Sequence, residues 1–212
     1  LECPVVARGA TGTLNTLMAT GFNLFDLLIF LVIIKIVVDG YQGSLINEVF
    51  LLLSVVFAVI IGAHYYWSFG VFLGGFFSLF GSEYVIAYGL ISCSVMALYP
   101  VAREGWRVLL NPPATPAVNP WITALVALVR AYFLAAVILT GLTLTGQDYV
   151  VNTTRASFSR FYLKDVVGDL YRGAYDGVIS LLAPGEPFNR HLFETLSWLD
   201  GDNERQGLRP GS

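Results

Sequence analysis

The chain has 212 residues, of which 56% are apolar and 13% charged, and its mean hydropathy is +0.67. A soluble domain carries about a quarter of its residues as charges, and residues 22–100 hold too few to coat a buried core with a polar shell. A net charge of -3 with no Lys/Arg cluster argues against a nucleic-acid surface.

Leu1–Gly21 reads as a weakly polar leader of Thr, Gly and Ala, without the compact apolar core of a signal peptide. The first span is Phe22–Val38, close to the roughly 20 residues that cross about 30 Å of hydrocarbon. Asp26 falls in its first turn, where the helix dipole favours a carboxylate. Lys35 near the other end can snorkel to the headgroups. Gly40-Tyr41-Gln42-Gly43 is too short a turn for anything but an antiparallel hairpin, and Ser44 caps the second span, Leu45–Ala63. His64-Tyr65-Tyr66-Trp67 reads as an interfacial aromatic belt, His64 included. Residues 68–82 are apolar but too short to cross, and are expected to form a re-entrant or interfacial segment. Within it, Gly70 and Gly74 either admit close helix packing or merely break a surface loop. Gly40 and Gly43 are the other candidate packing glycines.

The third span is Tyr84–Ala102, with Cys93 as a small core residue, no disulfide to Cys3, and a kink near Pro100. Arg103, Glu104 and Arg107, set among Val101, Trp106 and Leu109, extend it as an amphipathic stretch. A Pro-rich stretch ends it. Asn119-Pro120-Trp121 then opens a new helix, with Asn as cap and Pro in the first position. Its crossing is expected over roughly Leu125–Thr145. After Asp148, apolar residues from Phe158 to Leu181 recur at spacings of three and four, which predicts one amphipathic helix of about 25 residues. The fold class is therefore all-α: a polytopic membrane protein of about four spans plus a C-terminal amphipathic helix. Its parts are a leader (1–21), a membrane domain (22–146), a surface helix (147–182) and a polar tail (183–212), with room for one short helix at His191–Leu199.

Arg130 interrupts two apolar runs, and an ion within a membrane helix is by default a functional candidate. Three readings stay open: a side chain snorkelling to the surface, a structural clamp with Glu48, or a gating role. Lys35, Asp39 and Asp26 are the other intramembrane charges of interest. His64 and His191 are the only histidines, and His191 reads as a solvated tail residue. No catalytic motif, metal-ligand spacing or cofactor loop is present in the sequence, so neither enzyme chemistry nor a cofactor nor a metal is expected. Lys35, Arg103, Arg107 and Arg130 gather on one side of a four-span arrangement. Positive-inside logic makes that side cytoplasmic and puts both termini outside.

Asp26, Gly40 and Glu48 match in order and spacing the start of the colicin V production protein family, which this chain resembles over about residues 23–180. Ala63-His64-Tyr65-Tyr66, the element Ala124–Arg130, and Ser157 after the last span are similar to the family as well. The first hairpin departs from it, with Asp39, Gln42 and Asn47 where the family is usually arginine-rich. The resemblance implies a four-span protein of the bacterial inner membrane, implicated in colicin V production or export. Some members carry an extracytoplasmic protease after the last span, which agrees with a C-terminus outside. The expected function is a non-enzymatic scaffold or assembly/export factor. Alternatives are an accessory subunit of a larger membrane complex, or a small transporter or channel subunit. Expected partners are membrane lipids and other integral-membrane proteins, not nucleic acid.

Overall fold

A computed structural model describes residues 24–76, 82–110, 119–157, 160–183 and 185–197. The described residues form helices and connections, with no strand among them. Long runs of Leu, Ile, Val and Phe leave the backbone to satisfy itself in an apolar medium, and the helix does so within one segment. The membrane part comprises α1 (Leu24–Gln42), α2 (Leu45–Phe76), α3 (Glu83–Ala97), α4 (Tyr99–Leu110) and α5 (Pro120–Thr143). α2, α3 with α4 to Trp106, and α5 are long and apolar enough to cross a membrane. The chain is thus an all-α polytopic membrane protein. α1 is also apolar but holds Asp26, Lys35 and Asp39 in its 19 residues.

Two expected caps are present. The Asn119 side chain accepts from Trp121 N–H at 3.1 Å, with Pro120 in the first turn. Ser44 Oγ accepts from Asn47 N–H at 3.4 Å. The bend expected near Pro100 lies at Leu98, between α3 and α4.

Two expectations need correction. The separate segment at 68–82 is, over Ser68–Phe76, simply the end of α2, while 77–81 lie outside the described residues. α2 therefore has 32 residues and is about 48 Å long. Its glycines do not break it because Gly70 packs under the Tyr84 ring of α3. Cys93 is exposed on the outer face of α3, whose buried face is taken by Tyr88 and Ser92. The amphipathic helix expected over Phe158–Leu181 is present, beginning as α7 (Arg160–Ala174), and the earlier part of 147–182 forms a separate helix, α6 (Asp148–Arg155). α7 runs on through a π-turn, Tyr175–Ile179, into Ser180–Leu182, and a last helix, α8 (Arg190–Ser197), follows. The leader and residues 198–212 lie outside the described residues.

α2 and α3 form a closely packed hairpin, α1 lies along α5, and α2–α5 contacts join the two pairs. Ala124, Ala127, Ala131 and Ala135 of α5 are buried and let its neighbours approach. The outer faces carry Leu28, Leu31, Phe57, Leu90 and Leu125, all exposed, as lipid-facing residues should be. α7 keeps Asp165, Asp169, Arg172 and Asp176 in solvent but buries Val167 and Tyr171 completely against the ends of α2 and α5. With α8, which buries Leu192 and Leu196, it caps the end of the bundle where α1 begins and α5 finishes. The C-terminal amphipathic surface is therefore docked on the chain's own bundle, and its core is continuous with that of the spans.

Candidate functional site

Three polar joints hold this structure together. The first is at the hairpin end. Glu48, in the first turn of α2, points at Arg130 in the middle of α5, with Oε2 3.1 Å from Nη2. Their side chains are 3% and 12% exposed, so Arg130 is folded inward rather than reaching for the headgroups. Gly40 and Gly43 leave the space the carboxylate fills, since a side chain at Gly43 would begin 3.3 Å from Glu48 Oε1. Gly40 also marks the closest approach of α1 to α5, where an added Cβ would stand 2.2 Å from Ala127 Cβ. Asn47 and the Tyr99 hydroxyl bond one another beside the joint, tying α2 to α4. Lys35 and Asp39 do not join this group. They pair with each other at 2.6 Å on the exposed face of α1. Arg103 is exposed on α4. Gly70 and Gly74 serve the α2–α3 hairpin, facing Tyr84 and Glu83.

The second joint is at the opposite end. Ser157 Oγ, just after α6, donates to Asp26 Oδ1 at 2.5 Å, and both residues are buried. A hydrogen bond to a buried carboxylate contributes about 1.5–3 kcal/mol. Ser157→Ala is therefore expected to lower stability in detergent by about 2 kcal/mol, read from thermal unfolding. A loss below about 0.5 kcal/mol would remove this bond from the joints that matter.

Sequence reasoning missed the third joint. His64 is buried at the end of the α2 stretch that lies within the bundle, not spread in an aromatic belt. Its Nδ1 is 2.9 Å from the Tyr171 hydroxyl of α7, and its Nε2 is 3.6 Å from Glu186 Oε1. Asn189 N–H donates to the same hydroxyl at 3.0 Å. The Tyr171 proton is then left for His64 Nδ1, which places the ring proton on Nε2, toward Glu186. Burial pushes the Tyr171 phenol above its usual range, and the Asn189 bond opposes this only in part, so the hydroxyl keeps its proton. Asn189 Nδ2 donates to the carbonyls of Ala63 at 2.7 Å and His64 at 3.3 Å, locking the cap to α2. His191 is not merely solvated. It stacks on Trp67 at 3.7 Å, and Trp67 stacks on Tyr84 at 4.5 Å. Nothing in the sequence links His64 to a segment more than a hundred residues further along the chain.

Glu48 and His64 are sixteen residues apart on α2, about 24 Å along the helix. The buried face between them is Val55, Ala58 and Val59, and the Ser54 hydroxyl is turned back onto the Leu51 carbonyl at 2.8 Å. Among the described residues, the polar side chains buried between the Glu48 and His64 layers are hydroxyls, Ser54 and, beside Gly62, Tyr88, Ser92 and Thr140, with no acid or base among them. Among the described residues no three His, Cys, Asp or Glu side chains gather as metal ligands.

The sequence model of the Colicin V production protein family matches residues 25–168. The chain belongs to the colicin V production protein family. As a member it is a multi-pass membrane protein. No curated protein and no solved structure matches the chain. The family region takes in the first two joints whole but divides the third. It contains His64 and stops short of Tyr171, Glu186 and Asn189.

Proposed function

We propose that this colicin V production family member is a non-enzymatic scaffold of the bacterial inner membrane that helps assemble or support an export apparatus. One observation carries the reading: three buried polar pairs are spent on joints between distant parts of the chain. Glu48 with Arg130, Asp26 with Ser157, and His64 with Tyr171 each tie distant parts of the chain to one another. What remains to meet other molecules is a broad apolar exterior. In this reading α1 is a fourth span, because it lies along α5 and begins and ends near the two polar layers. Both termini are then outside the cytoplasm, with Lys35 and Arg103 on the inner side. Among the described residues no charged side chain is buried between the layers, which argues against an ion path through the isolated chain.

A second reading, a permanent subunit of a larger complex, has its own support. α2 continues twelve residues beyond His64, and Val71, Phe72 and Phe76 are exposed on that extension. Such an apolar ridge is suited to a partner. Native mass spectrometry after gentle extraction separates the two. A scaffold is expected to fly as a free chain or self-assembly, with partners held only after cross-linking in the cell. Partners in fixed ratio across several mild detergents would replace it with the subunit reading.

A further inference from the structure

Beyond Leu98 the chain leaves the line it has followed through the bundle. While α3 advances from Tyr84 to Ser92, its contacts on α2 step back from Gly70 to Gly62, residue for residue. That register stops at the bend. Tyr99 and Trp106 of α4 meet Asn47 and Phe50, a shorter stretch of α2 and in the opposite order, the second pair edge-on with ring centres 5.7 Å apart. Every described side chain from Val101 to Leu109 is exposed. Counted from Glu83, the roughly 20 residues of one crossing are used up near Ala102, so the rest of α4 emerges from the hydrocarbon.

The exposed surface is sorted by kind. At about 3.6 residues per turn, Val101, Ala102, Val108 and Leu109 share one face of α4, and Arg103 falls on the opposite one. Tyr99 and Trp106 occupy a flank between them. Val101, Val108 and Leu109 are 67%, 75% and 82% exposed. At the same end of the bundle Lys35 is held by Asp39 and Arg130 by Glu48. Arg103 has no partner among the described residues, while Glu104, next to it in the chain, has a contact of its own.

Two media fail this helix. Water would bathe three large apolar side chains, and hydrocarbon would enclose an unpaired guanidinium. The boundary between them satisfies both faces, and it is also where the amphipathic rings of Tyr99 and Trp106 are at home. An arginine without a protein partner at that depth meets phosphate.

We propose that α4 is an interfacial helix that beds Val101, Val108 and Leu109 among the acyl chains and binds the headgroup of an anionic phospholipid through Arg103. The negative headgroup is preferred because a zwitterionic one brings its own cation beside the phosphate. Asn47 immediately precedes Glu48, so a lipid held at Arg103 keeps α4 against the turn of α2 that carries the first joint.

The depth of α4 is read on the full chain in nanodiscs, with Cys3 and Cys93 replaced by Ala and a nitroxide placed singly at Val101, Ala102, Arg103, Val108 or Leu109. Collisions with oxygen and with a soluble nickel chelate are expected to put Val101, Ala102, Val108 and Leu109 about 5–10 Å into the boundary between headgroups and acyl chains, and Arg103 in water. A depth that falls steadily along the helix, with Val108 and Leu109 in water, would overturn the interfacial placement. Spin–spin broadening between labels at Val108 of two chains would give the face to a second copy and overturn it as well. The headgroup is tested by native mass spectrometry of the unlabelled chain released from discs of equal parts phosphatidylglycerol and phosphatidylcholine. Arg103→Gln is expected to lower the retained phosphatidylglycerol, relative to phosphatidylcholine, about fivefold, and Arg103→Lys to keep most of it. Equal retention by the wild type and Arg103→Gln would overturn the lipid site.

Discussion

Arg130→Leu is expected to lower the stability of the protein in detergent by about 3 kcal/mol. The residue is the only partner seen within salt-bridge distance of Glu48 among the described contacts, at 3.1 Å. Glu48 is 2% exposed and enclosed by Gly40, Gly43 and α5, so it cannot turn to water when the guanidinium is removed. The loss comes from a carboxylate left buried and alone, more than from the attraction itself. That distinction has its own test. Glu48→Leu combined with Arg130→Leu should recover most of the deficit, since replacing both members of a buried pair with apolar residues is often neutral. Thermal unfolding of the two single variants and the double variant reads this directly. A single-variant loss under about 1 kcal/mol would mean that Arg130 is a spectator, and additive losses in the double variant would mean that the two residues do not act as a pair.

Gly40→Ala should be costly for one methyl group. Its Cβ would lie 2.2 Å from Ala127 Cβ, well inside contact distance, and Ala127 Cα is only 3.6 Å away. Neither atom belongs to a flexible side chain, so α1 as a whole must move off α5. Overpacking of this kind costs about 1–3 kcal/mol, and here the upper end is expected because the Glu48–Arg130 contact lies beside the clash. Ala127→Gly in the same chain returns the missing space and should restore most of the stability. A neutral Gly40→Ala, or a double variant no better than the single one, would show that the two helices are not held at this distance.

Much of the fold was legible because the membrane makes a simple demand. Runs of Leu, Ile, Val and Phe must become helices there, and Asn119-Pro120 and Ser44 announce two starts in residues that act locally. Glu48 and Arg130 could be matched because two opposite charges among apolar neighbours have few alternatives. The glycines of residues 68–76 misled for a local reason. They suggest a break until Tyr84, supplied by the next helix, is seen to fill the gap over Gly70. The His64 joint was hidden by distance, since Tyr171 lies 107 residues along the chain and Asn189 more than a hundred. No periodicity connects a histidine at the end of one helix to a tyrosine and an asparagine in a segment that reads as a surface helix and tail.

The order in which these partners are made has a consequence for biogenesis. Asp26 and His64 enter the membrane early, but Ser157 is synthesised 131 residues after Asp26, and Tyr171 107 residues after His64. At ordinary elongation rates each waits for roughly ten seconds. Until then a carboxylate and an imidazole stand in or near lipid without the hydroxyls that later satisfy them. In a nascent chain that has reached Ser157 but not α7, Asp26 already has its hydroxyl while His64 still lacks that of Tyr171, so the two joints close in sequence.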